Sequence, residues 1–275
     1  MNAKLLNRFL DDTAFMLGSM GDILMYRVFG DGPMAAEPPW RQEAREQLKP
    51  KMAIENGVAH IPVEGVLAFA PDVMEMAYEG VEDTRNIVQM LQDARLNTAV
   101  KGVQLNINSP GGFFMGGMEV GDAVAALNRV KPVEAYIGGL GASMAYLIAS
   151  QAGHITASRA SRVGSIGAYQ VVTDMSRRAE QAGIKVQVFT NKEATFKAAG
   201  MPGTSLRDAQ AAHIQEQTQA AFDEFKGQIL QARPGIPADA MRGQVFTGKE
   251  ATRCGLVDMV GDRAAATMYL KGRMG

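Results

Sequence analysis

An α/β fold with a largely parallel sheet, outer helices and an N-terminal helical arm is the architecture this chain predicts. Three observations carry that expectation. From Val58 onward, short β-prone runs alternate with helical stretches, and a strand that is followed by a helix returns to pair in parallel. Gly, Pro and Asn punctuate the joints. Apolar residues make up 47% of the 275 residues and charged ones 21%, enough to bury a real core in one large domain or two small ones.

Each element follows from local pattern. Leu5, Leu6, Phe9, Leu10, Phe15, Met16 and Leu17 recur at helical spacing, so residues 1–30 read as one or two amphipathic helices. A Gly/Pro-rich break spans 30–39, and 40–48 reads as a short charged helix. This front piece is too short to build its own core, so 1–50 is expected to be an accessory arm and 51–275 the main domain. Residues 58–63 and 65–67 read as a strand with a tight turn. Residues 84–95 form a helix with Ile87, Val88, Leu91 and Ala94 on one face and Thr84 as N-cap. A strand at 103–107 runs into Ser109-Pro110-Gly111-Gly112, which reads as a loop. Then come a helix at 118–130, a strand at 133–137, an apolar helix at 142–152 and a strand at 154–157. Strand 171–172, a helix ending at 182, strand 186–189 and a long helix at 205–231 continue the alternation. Residues 244–246, a helix near 249–254 and the apolar stretch 256–258 close the chain. No repeat of 20–50 residues is visible.

Composition excludes several classes. A formal net charge of −1 gives no reason to expect nucleic acid or an anionic membrane as partner. A single cysteine, Cys254, rules out an intrachain disulfide and fits a reducing compartment. With three scattered histidines beside it, a zinc site is not expected, nor is any cofactor. Arg8, Asp11, Asp12, Asp22 and Arg27 interrupt the apolar stretches of the first 30 residues, so neither a signal peptide nor a membrane anchor is expected. The expected location is the cytoplasm. The methionines at 16, 20, 25 and 34 suit an adaptable packing surface.

Two stretches carry candidate chemistry. In Gly139-Leu140-Gly141-Ala142-Ser143-Met144-Ala145, a serine follows a Gly-rich turn at the start of an apolar helix. Free N–H groups at such a start favour a developing oxyanion, with the Met144 amide as one donor. The same serine also reads as a plain N-cap. A serine hydroxyl needs a base, and a lysine serves only if burial keeps it neutral. Lys197 has Phe196, Ala198 and Ala199 around it, whereas Lys192 and Lys185 sit in polar or capping contexts. Gly111 and Gly112 can supply the second oxyanion donor, or simply form a β-turn. His60, His154 and His213 read as structural or solvated, and no Ser-His-Asp spacing is present.

Four blocks in this order resemble the S49 peptidases, the signal-peptide-peptidase A group within the ClpP/crotonase fold: LNINSPGG (105–112), GLGASM (139–144), VGSIGA (163–168) and FKAAGMP (196–202). A weaker fifth is FTGKEATRCGLVD (246–258). The resemblance covers about 58–260. It implies a repeated β-β-α spiral, Ser143 as nucleophile, Lys197 as general base, and oxyanion donors from the Gly111–Gly112 turn and Met144. It also implies that Ser165 helps hold the lysine. Members of this group form rings or domes in which serine and lysine can come from neighbouring subunits, so a homo-oligomer is expected.

A single domain without an anchor is similar to the phage capsid-maturation proteases, whose substrates are scaffold and capsid proteins. In that case the site of action is the host cytoplasm or the procapsid interior. Such proteases often continue into a C-terminal scaffold segment, and this chain stops at Gly275. The function expected is a Ser-Lys endopeptidase acting on protein or peptide substrates. A cytoplasmic signal-peptide-peptidase-like protease, a crotonase-like acyl-CoA enzyme and an inactive ring-forming assembly protein are the alternatives. A serine-directed phosphonate separates hydrolases from the last two.

Overall fold

The computed structural model describes residues 39–274, so the helices expected within 1–30 lie outside them. The described chain falls into two units, one of residues 39–167 with 222–274 and one of residues 168–221.

The larger unit opens with α1 (Pro39–Leu48), β1 (Ala53–Glu55) and β2 (Val58–Ala68). A π-helical turn (Glu75–Glu79), β3 (Val81–Asp83), α2 (Thr84–Leu96) and β4 (Gly102–Gly112) follow. Next come α3 (Phe114–Asn128), β5 (Val133–Ala142), α4 (Met144–Ser150), β6 (His154–Ala157) and β7 (Arg162–Gly164). The smaller unit holds α5 (Ser176–Gln181) and the first part of α6 (Asp208–Ala232). The larger unit then resumes with β8 (Val245–Thr247), α7 (Gly248–Arg253), β9 (Met259–Val260) and α8 (Arg263–Lys271).

The strands form one sheet with the order β1-β2-β4-β5-β6-β9, while β3 pairs with β2 and β7 bridges β5 to β8. Pairing is parallel except for β1–β2 and β7–β8. The mixed α/β fold with a largely parallel sheet is therefore the one expected.

Strand alternation gives the sheet two different faces. Ile61, Leu105, Ala135 and Ile155 stand in one row across β2, β4, β5 and β6, and all are fully buried in the core with α2, α3 and α4. Each large side chain removed from water in this way contributes roughly 1.5–3 kcal/mol. The neighbouring row is polar: His60, Gln104, Glu134 and His154. Helix α8 lies over this side. Thr267 Oγ1 donates to Gln104 Oε1 at 2.6 Å, and Tyr269 stacks on His154 with ring centroids 3.7 Å apart. Burial pushes the Glu134 carboxyl up from its ordinary range. His154 Nδ1 at 2.8 Å and the Thr156 hydroxyl at 2.6 Å pull it back.

The structure corrects several expectations. The Ser109–Gly112 stretch is not a loop: it continues β4, pairing Gly111 with Val66 and Gly112 with Leu67 after a bulge. The N-cap of α2 is Asp83, whose Oδ1 accepts the Arg85 N–H at 3.0 Å, and Thr84 is the first helical residue. An extended carboxylate one residue earlier reaches that amide better than the threonine hydroxyl. Residues 171–172 and 186–189 form no strand, although 186–189 alternates as one; they find no pairing edge among the described residues, and a strand needs a partner to persist. The closing strand falls at Met259–Val260, because Leu256 and Val257 are spent on the core.

One buried acid makes stability depend on pH. Glu82, in register with Leu67, has its Oε1 buried without a hydrogen-bond partner. Burial pushes its carboxyl from 4.5 up to about 7, against a hydrogen bond from Asn86. Below about pH 4.5 the group is protonated in folded and unfolded chains alike. Between there and about 7 only the unfolded chain ionises, so folding stability is lost as pH rises, by up to ~3 kcal/mol. Urea unfolding at pH 5 and pH 8 is expected to show Glu82→Gln gaining on the parent chain at the higher pH. Equal pH slopes in the two proteins would remove Glu82 as the cause.

Candidate active site

Ser143 is the single residue between β5 and α4. Its backbone sits at φ 52°, ψ −125°, a conformation that L-residues avoid. Its N–H donates to Gly164 O at 2.7 Å, and its carbonyl accepts from the amides of Tyr146 (2.9 Å) and Leu147 (3.1 Å). The strained residue is therefore tied on both sides. Its side chain makes no capping bond, so the hydroxyl does not serve as an N-cap, and the residue is only partly buried. All seven residues of α4 are buried, and Tyr146 OH donates to Leu256 O at 2.9 Å, which fixes the helix behind the turn.

Gly111 packs directly against this turn. A Cβ at Gly111 would lie 2.7 Å from Ala142 O, 2.8 Å from Met144 N and 2.8 Å from Ser143 Cβ. With φ at +97°, only glycine satisfies both the space and the backbone there. The Gly111 amide donates to Ser109 Oγ at 3.0 Å. Phe113 N–H donates to Leu67 O at 2.9 Å, and a Cβ at Gly112 would lie 2.0 Å from that same oxygen, so Gly112 too is confined to glycine. Met144 follows Ser143 at the first position of α4. A hydroxyl on a strained strand-to-helix turn, with backbone amides beside it, can attack a carbonyl carbon and stabilise the resulting oxyanion.

Asn108 and Ser109 do more here than sequence reading assigns them. Asn108 Oδ1 accepts the Leu140 N–H at 3.1 Å and lies 2.5 Å from where a Cβ at Gly139 would be. A polar side chain next to a Pro-Gly-Gly stretch is the only signal in the sequence. Ser165 follows Gly164, which pairs with Ala142, so it stands one residue past that pair on β7 as Ser143 does on β5. It has φ 51° and its N–H donates to Gln244 O at 2.6 Å.

Lys197 belongs to the smaller unit. Its N–H donates to Ala194 O at 3.1 Å, and Ala198 next to it has φ 57°. Thr195 O accepts from the Arg207 guanidinium and from Gln210 Nε2 at 3.0 Å, while Phe196 meets His213 with centroids 5.0 Å apart. The expected burial of the lysine is absent from the single chain: Lys197 is exposed and Phe196 is 48% exposed. Phe196 is turned to His213 on α6 and leaves the lysine uncovered.

His154 is bound to Glu134, His213 lies on α6, and His60 is buried in the polar row. Burial pushes the Asp258 carboxyl up, but the hydrogen bonds and charge of Arg233, at 2.5 Å, hold it below its ordinary range. Among the described residues no group of three or more His, Cys, Asp or Glu can hold a metal ion. No helix among them is long and apolar enough to cross a membrane.

Comparison with known proteins matches the sequence of this chain to a family. The model of peptidase family S49 matches residues 125–273, more than half of the chain. A putative protease of Methanocaldococcus jannaschii is 30% identical over 69% of this chain and 61% of its own length. Capsid assembly protease C of Escherichia phage lambda is 27% identical over 74% of this chain and 46% of its own. The head-tail preconnector protein of Enterobacteria phage P21 is 30% identical over 74% and 40%. The chain thus spans about two fifths to three fifths of the length of these relatives. An enoyl-CoA hydratase/isomerase family member of known structure aligns with a TM-score of 0.46 at 15% identity, over 81% of this chain and 74% of that one. On the strength of the family match, this chain belongs to peptidase family S49.

Proposed function

We propose that the protein is a serine endopeptidase whose nucleophile is Ser143 and whose general base is Lys197. The observation that carries the nucleophile is the Ser143 backbone, strained at φ 52°, ψ −125°, with Gly111 packed against it and no capping role for its hydroxyl. Strain of this kind costs about 1–3 kcal/mol and persists where a function requires it.

In the proposed reaction Ser143 Oγ attacks the peptide carbonyl carbon as Lys197 takes its proton. The amides of Met144 and Gly112 receive the oxyanion, in the turn formed with Gly111. Lys197 then protonates the leaving amine, and water releases the acyl group by the same steps in reverse. Ser165, next to the Gly164 carbonyl that holds Ser143 N–H, supports the lysine in this scheme. A lysine acts as base only when shielded from water. Lys197 is exposed in the single chain, so the shielding comes from bound substrate or from a neighbouring subunit of a homo-oligomer. The names of two relatives, a capsid assembly protease and a head-tail preconnector protein of phages, favour capsid and scaffold proteins as substrates.

Labelling with a fluorophosphonate tests the assignment. The parent oligomer is expected to label, and Ser143→Ala and Lys197→Ala to lose labelling by at least about a thousandfold while melting within a few degrees of it. Undiminished labelling of Lys197→Ala would discard the lysine as base. A folded oligomer that never labels would favour a non-catalytic assembly protein.

Strain and chemistry separate in a second variant. Ser143→Gly removes the hydroxyl and relieves the positive φ, so it is expected to be inactive yet more stable by up to about 1 kcal/mol, after the entropic cost of glycine. A lower melting temperature than that of Ser143→Ala would show that the turn is not strained.

A further inference from the structure

Ser109 occupies an apolar place. Strand β4 sends Val103, Leu105 and Ile107 into the core, and the same alternation puts Ser109 next, at 0% exposure. An apolar side chain would be buried there without any hydrogen-bonding requirement, whereas a hydroxyl needs partners. Both of its partners are on one residue. Ser109 Oγ accepts the Gly111 N–H at 3.0 Å, and its hydroxyl points to Gly111 O at a long 3.4 Å. This is a local side-chain-to-backbone turn two residues deep, and Gly111 is the residue where a Cβ would meet Ala142 O, Met144 N and Ser143 Cβ.

The amides of the turn are few. Pro110 has none, so Gly111 and Gly112 supply those available beside Ser143. Pairing with Val66 and Leu67 holds this stretch on the β2 side, and at φ 97° on Gly111 the Pro110–Gly111 peptide takes its remaining partner from Ser109 Oγ. We propose that Ser109 is a positioning residue: by engaging the Gly111 N–H it locks the Pro110–Gly111 peptide away from the cleft and holds the Gly112 N–H aimed at the oxyanion. The inference rests on the reading of Ser143 as the nucleophile, and the phosphoryl oxygen of a fluorophosphonate occupies the oxyanion position during labelling of that serine.

The test uses saturation kinetics of fluorophosphonate labelling, which separate the first-order rate of bond formation from the affinity of the reversible complex. Ser109→Thr and Ser109→Val have the same shape and differ by one hydroxyl, and Ser109→Ala adds a smaller side chain. Loss of one oxyanion donor outright costs about 10²–10³ in rate, so losing only its alignment is expected to slow bond formation roughly 10–100-fold in the Ala and Val variants. Affinity is expected to stay within about twofold, and the Thr variant within about threefold of the parent in rate. Equal rates in the Thr and Val variants, or a loss confined to affinity, would overturn the role, as would loss of the fold in all three variants. A parent protein that does not label, or a Ser143→Ala variant that still does, would instead sink the nucleophile assignment and take the Ser109 role with it.

Discussion

Two backbones meet at Gly111 with no side chain between them, and the surrounding architecture is arranged to permit that contact. A Cβ there would overlap Ala142 O, Met144 N and Ser143 Cβ together. The approach is possible because β4, parallel to both its neighbours, leaves regular register with each near its C-terminal end: with β5 between Ile107 and Ser109, and with β2 between Glu64 and Val66. These irregularities are bulges of the kind that re-aim a strand beside a functional site. Asn108 secures the pairing from the side by taking the Leu140 N–H.

Holding Ser143 in its strained conformation requires a rigid setting, and the two faces of the sheet provide it in different ways. The apolar rows and the fully buried α4 supply non-directional burial energy. The polar row supplies direction: Glu134 accepts from Thr156 and pairs with His154, and Gln104 accepts from Thr267. Satisfied buried polar groups fix one packing of α8 against the sheet, where apolar groups alone would tolerate several. The Tyr146 hydroxyl, bound to Leu256 O, ties the helix behind Ser143 to the C-terminal segment.

Legibility in the sequence followed the physics of each element. The starts of β2, β4, β5 and β6 were legible as short apolar runs because parallel strands are buried on both faces, and α2 from its one apolar face. The tight turn expected between 63 and 65 is instead a bulge within a continuous β2. The Ser109–Gly112 stretch was illegible as strand because Pro-Gly signals a turn locally, and only pairing with Val66 and Leu67 overrides it. Residues 186–189 erred the other way: their alternation is real, but alternation does not supply a neighbouring edge. The Ser143 turn was visible from its glycines, whereas the part played by Asn108 and Ser109 was not, since each acts through a single hydrogen bond to a backbone group made adjacent by folding. The setting of Lys197 was misread because apolar neighbours in sequence need not be neighbours that cover.

Helix α4 leaves a mark on how this chain can vary. An amphipathic helix such as α2 keeps a solvent side where substitutions are nearly free, but every residue of α4 from Met144 to Ser150 is buried. No position along it can drift without repacking a neighbour, and repacking there moves the turn that precedes it. Sequence diversity around Ser143 is therefore confined to compensated changes made in pairs, and the segment is a poor place to graft a tag, a cross-linker or a new specificity.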